Sequence, residues 1–217
     1  MSYQSITKKN YLAVLSTFFM ALIFLGIGSF IGVRFIPASI RNFMNIAFFI
    51  VVLFSLFSKK GGFIRSKKSM YVYAFILGIL TGSTYIYYFN TLGSATFMSV
   101  VLGVILIFGM AYIIAAGSTE ENLFKLGPIV FGGITVLLIL EFINIFFFSF
   151  GTFDIILSAI GIGIYSIYSI IIMKSVQVRC RYGVLSEIEV VSLAYSIFIS
   201  FLNLLLDLLR LVSILKD

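Results

Sequence analysis

The chain has 217 residues, of which 61% are hydrophobic and only 11% charged, and its formal net charge is +7. Soluble domains carry about 25% charged residues, and a chain this apolar cannot cover a water-facing surface with polar groups, so a soluble protein is excluded. Histidine is absent and Cys180 is the single cysteine, which removes an internal disulfide and the Cys/His sets that hold zinc.

A helix that crosses a bilayer needs about 20 mostly apolar residues. The first such run is 11–32, behind a short polar start with Lys8 and Lys9. It is too long for a signal peptide, and no small-residue cleavage site follows it. The second, 43–57, is shorter, can be extended from residue 36 onward, and leads into the basic loop SKKGGFIRSKKS. The third and fourth are 71–88 and 97–116, and the fifth, 129–148, is entered through Gly127-Pro128. The sixth is 153–173 and the seventh 188–215. The connections are short and leave no room for a soluble domain, so residues 1–217 read as one all-α domain of seven transmembrane helices embedded in a lipid bilayer.

Two local signals refine this pattern. SEIE at 186–189 has the form of a capping box, in which Ser186 accepts from the Glu189 amide and Glu189 reaches back; it predicts the start of the seventh helix. Gly28 with Gly32, and Gly78 with Gly82, recur at the spacing that lets helix backbones approach closely in lipid. Cys180, between Arg179 and Arg181, reads as a bystander loop cysteine, although flanking cations favour a thiolate.

Excess positive charge points to nucleic acid in a soluble protein, but in a membrane protein the placement of Lys and Arg reports orientation instead, and no nucleic-acid partner is expected. With seven crossings, eleven of the fifteen basic residues fall on the side of the N-terminus and four on the other. The richer side is expected to be cytoplasmic. That puts the N-terminus inside and the C-terminus outside, and the absence of a targeting segment makes a prokaryotic plasma membrane the simplest location.

Polar residues inside the apolar runs are the candidate functional groups, because an ionised side chain at mid-bilayer costs at least ~2.5–3.5 kcal/mol. Counted from Val190 at a rise of about 1.5 Å per residue, Asp207 lies ~26 Å and Arg210 ~30 Å along the seventh helix. Both then approach the outer interface, where snorkelling is inexpensive, and their i, i+3 spacing makes them an intrahelical pair. Glu141 lies ~18 Å from the inner face with nothing on its own helix to neutralise it. It is either a pathway group or a buried, protonated structural acid. Asn144 shares its face, and Asn203, ~20 Å along the seventh helix, reaches a depth from which it can bond to Glu141.

FINIF at 142–146, IYSIYS at 164–169 and SLAYSIFISFLNLLLDLLRLVSIL at 192–215 resemble the Bax inhibitor 1 family. The length, the seven segments and the short connections fit the same family, so the resemblance extends over the chain and is most specific in the last two segments. It implies six helices around a central, C-terminal seventh. It also implies a calcium-permeable leak in some members and a cell-protective or protease-modulating role in others. In calcium-leak members an aspartate on the sixth helix and another on the seventh share a proton as a latch; matched by motif, those positions are here Ser169 and Ser200. Two hydroxyls can hydrogen-bond but cannot titrate as a coupled pair of acids does. Depth along the predicted helices places Ser169 ~6 Å and Ser200 ~15 Å from the inner face.

The expected function is therefore a cation leak of calcium type with altered or absent pH gating, along a path drawn from Ser169, Ser200, Asn203, Glu141, Asp207 and Arg210. The alternative is a regulatory membrane protein that binds a membrane protease or another membrane partner without conducting. An intramembrane enzyme is disfavoured, because metal hydrolysis lacks its histidines and Glu141, Asp154 and Asp207 form no recognisable catalytic pair. No cofactor is expected.

Overall fold

The computed structural model of the chain describes residues 3–37, 39–40, 43–44, 64–147 and 151–216, with backbone alone at 3, 141–147 and 151–153. The described elements are helices: α1 (Tyr3–Phe35), α2 (Lys67–Leu92), α3 (Ser94–Gly117), α4 (Glu120–Lys125), α5 (Gly127–Phe147), α6 (Gly151–Arg181) and α7 (Glu187–Lys216). Among the described residues, six helical runs are long and apolar enough to cross a membrane: Gln4–Phe35, Lys67–Leu92, Ser94–Gly117, Glu120–Leu140, Asp154–Arg181 and Glu187–Lys216. The run expected at 43–57 lies almost wholly outside the described residues.

The helices overrun the apolar segments because hydropathy marks what lipid covers, whereas helix ends are set by backbone breakers and caps. Between α2 and α3 the break is a single residue, Gly93, at φ 81°. Between α6 and α7 it is the turn at Gly183, at φ 68°. L side chains rarely adopt either conformation. The start of α7 is the capping box read from the sequence. The Ser186 amide donates to Glu189 Oε2 at 3.0 Å, and the Glu189 amide donates to Ser186 Oγ at 3.4 Å. Such a cap stabilises by about 1 kcal/mol.

Large apolar side chains face outward along these helices, among them Leu106, Met110, Ile113, Ile129 and Phe131. In water so much exposed apolar surface would drive aggregation; in lipid it is the expected outer face. Association inside lipid must then come from packing and hydrogen bonds, since apolar contact has no advantage over the acyl chains.

The chain divides into two compact units, Met1–Tyr87 with Cys180–Phe198 and Tyr88–Arg179 with Ile199–Asp217. In the first unit, α1 and α2 cross at the glycines. A Cβ on Gly28 would fall on the Phe75 carbonyl and one on Gly32 on Ile79; one on Gly78 would strike Leu25 and one on Gly82 the Ser29 backbone. Main chain meets main chain there, as the small-residue spacing predicts. Phe24 stacks on Tyr71 at 5.2 Å between ring centroids, and Tyr73 meets Tyr195 edge-on at 5.5 Å.

In the second unit, α6 runs antiparallel to the later part of α7, with Ser169 opposite Ser200 and Gly161 opposite Asp207. Cations close two helix ends. Lys174 on α6 donates to the carbonyls of Ala115 and Ser118 at the end of α3. Lys216 donates to those of Thr91 and Leu92 at the end of α2. A positive charge on the last carbonyls of a helix is favourable both to the unpaired oxygens and to the helix dipole. Over its apolar stretch α7 is 56% buried, against 17% for α3.

Candidate functional site

Among the described side chains of the second unit, the buried polar groups lie on α6 and α7. On α6 they are Ser158, Tyr165, Ser169 and Gln177; on α7 they are Ser200, Asp207 and Ser213. Ser158, Tyr165 and Ser169 are seven and four residues apart on α6, and Ser200 and Asp207 seven apart on α7. Each of these sets therefore shares one helix face, whereas Gln177 and Ser213 stand roughly 80° and 120° round from it.

At the middle of this line Ser169 Oγ and Ser200 Oγ stand 3.0 Å apart, both fully buried. Ser169 Oγ also donates to the Tyr165 carbonyl at 2.8 Å. A hydroxyl has one proton, so Ser200 is the donor between the two serines. The contact is a closed, uncharged hydrogen-bond chain, worth about 1 kcal/mol. The two depths read from the sequence are corrected by the length of α6. It continues past Met173 to Arg181, so Ser169 lies ~18 Å from its end while Ser200 lies ~20 Å from the start of α7. The two serines touch, and the discrepancy in depth came from ending the sixth helix where its hydropathy ends.

Asp207 is enclosed by protein. It is only 4% exposed, so its position does not depend on snorkelling to an interface. Its carboxylate packs against α6 at Gly161, where a Cβ would lie 2.9 Å from Asp207 Cγ. Only glycine leaves that space. Arg210, three residues on, is half-buried. Ser158, three residues before Gly161, is fully buried and its hydroxyl has no hydrogen-bond partner among the described residues. Asn203 turns inward on its own helix, donating to the Ile199 carbonyl at 3.0 Å. The side chains of Glu141 and Asn144 lie outside the described ones.

At the other end of the line Gln177 donates to the Tyr112 carbonyl at 2.8 Å. With Lys174 it fastens α6 to α3. In the first unit Asn10 on α1 holds the α6–α7 turn. Its Nδ2 donates to the carbonyls of Cys180 and Gly183 at 3.0 and 2.7 Å, and its Oδ1 accepts from the Leu185 amide at 3.2 Å. Cys180 is helical and fully buried rather than a loop thiol.

Sequence reading missed Asn10, Ser158, Gly161, Lys174 and Gln177. Asn10 gives no signal, since a lone asparagine before an apolar run looks like a solvated end. Ser158, Gly161, Tyr165 and Ser169 do form a stripe at i, i+3, i+7 and i+11, which helical periodicity exposes once the face is known. Among the described residues no three His, Cys, Asp or Glu side chains form a metal-holding group. Among the described residues the two helices offer buried hydroxyls, the Gln177 amide and the Asp207 carboxylate.

A family model described as inhibitor of apoptosis-promoting Bax1 matches residues 8–217. No curated protein matches the chain.

Proposed function

This chain belongs to the Bax inhibitor 1 family, and from that premise we propose that it is a cation leak, of calcium type, without the proton-operated latch of the acid-bearing members. The observation that carries the proposal is the Ser169–Ser200 contact. Two hydroxyls 3.0 Å apart occupy the place where the family resemblance puts two acids. The polar line continues on both sides of it through Gln177 and Asp207, giving a cation oxygen atoms at successive depths, as a leak requires. We take the C-terminal helix as the one the others surround, in keeping with its burial. We place seven crossings in a prokaryotic plasma membrane, N-terminus inside, with no enzymatic activity and no cofactor.

The test is calcium uptake into liposomes holding the purified protein, scanned across pH. Flux above that of empty liposomes, with little dependence on pH, supports the proposal. Flux indistinguishable from empty liposomes removes it. A second reading draws on the same contact: each hydroxyl is satisfied by protein, which suits a sealed helix joint in a non-conducting regulator. That reading predicts no flux and recovery of a membrane protease or another membrane protein on mild-detergent purification.

A further inference from the structure

Asp207, Ser158 and Gly161 have a relation that helix packing alone does not require. The glycines of α1 and α2 give up their side chains so that backbone can meet backbone. Gly161 differs: the atoms in its Cβ space belong to the Asp207 carboxylate. The missing methyl makes room for an acid.

Beside that acid is an unsatisfied oxygen. Serines in membrane helices ordinarily donate to the carbonyl four residues back, as Ser169 and Ser175 do here. Ser158 does not, although it is fully buried. Residues three apart on a helix have Cβ positions about 5–6 Å apart. Since the Asp207 carboxylate occupies the Cβ position of Gly161, it and the Ser158 hydroxyl are neighbours on one patch of α6. A hard cation bound by oxygen at about 2.3–2.6 Å bridges two oxygens up to about 5 Å apart.

We infer that Asp207 and Ser158, in the space cleared by Gly161, form a transit site for a single hard divalent cation. The inference rests on the leak reading and assigns the point where the ion exchanges water for protein oxygen. The ligand set is sparse, one carboxylate and one hydroxyl, and Arg210 stands at i+3 from the acid with a competing positive charge. Both features make binding weak, and a site on a conduction path must release what it binds.

The test is Mn²⁺ binding to the purified, detergent-solubilised chain, read by electron paramagnetic resonance and competed with Ca²⁺. Wild type retains Mn²⁺ that Ca²⁺ displaces. Asp207→Asn abolishes that binding. Gly161→Ala keeps the acid but pushes it out of its place, and weakens binding by roughly tenfold or more; Ser158→Ala weakens it less, because charge contributes more than a neutral oxygen. Thermal unfolding of each variant confirms folding, and Gly161→Ala supplies the result if Asp207→Asn does not fold. No Ca²⁺-displaceable Mn²⁺ in wild type, or binding unchanged in Asp207→Asn and Gly161→Ala, overturns the site. Liposome flux separates the two proposals. Asp207-dependent Mn²⁺ binding without flux leaves the site standing and removes the leak. Flux with Mn²⁺ binding that ignores Asp207 and Gly161 leaves the leak and removes the site.

Discussion

Replacing Gly78 by alanine tests the crossing of α1 and α2 against the ordinary benefit of removing a helix glycine. A Cβ at Gly78 would lie 2.9 Å from both Leu25 C and Ser29 N, whereas ordinary contact begins at 3.4 Å. Those atoms, and the Leu25 carbonyl oxygen that lies nearer still, are main chain and cannot rotate aside, so α1 must retreat by about 1 Å or more, enough to forfeit about half of the local dispersion energy. Overpacking of this kind costs about 1–3 kcal/mol, offset by up to about 1 kcal/mol from alanine's better helix propensity. Gly109, on α3, has nothing within 4 Å of its Cβ position, so Gly109→Ala collects the propensity gain alone. The two variants should differ by about 1–3 kcal/mol, or roughly 5 °C in a chain of this size. Thermal unfolding of both in one detergent reads this difference, with Gly78→Ala below wild type and Gly109→Ala at or above it. A Gly78→Ala protein as stable as Gly109→Ala would refute the close crossing.

Ser169→Asp combined with Ser200→Asp places two carboxylates where the hydroxyls now touch. Both cannot easily ionise at that separation, so liposome flux should become pH-dependent, and either single change should do less because it lacks the coupled partner. A double variant that folds, conducts and ignores pH removes the carry-over from the family latch. Asn10→Ala should leave three partners in the α6–α7 turn unpaired, at a cost of about 1–3 kcal/mol, and open Cys180 to a maleimide that does not label wild type. Continued protection of Cys180 would mean the turn is held without Asn10. Leu215, 72% exposed, gives the side of the C-terminus: Leu215→Cys in a Cys180→Ala background should react with an impermeant thiol reagent added outside intact cells. Labelling only after permeabilisation would reverse the proposed orientation.

By itself the sequence determined the solvent, the helical class, the family, the α7 cap and the glycine crossing. Each of these depends on composition or on residues within one or two turns of each other, where periodicity of 3.6 and local capping chemistry act. The Ser169–Ser200 pair was also legible, but only through motif matching. Depth counted from hydropathy separated the two serines, since hydropathy reports which residues lipid covers and not where a helix stops. Tertiary structure alone decided the rest. Asp207 looked like a charge near an interface until α6 covered it, and Gly161 looked like any small residue until an acid filled its missing side chain. Asn10 holds a turn about 170 residues away, and Lys174 and Lys216 close helices on which they do not lie. These roles depend on which helix faces which, and in lipid that choice is made by shape and hydrogen bonding between segments, because every apolar face is as content with acyl chains as with another helix.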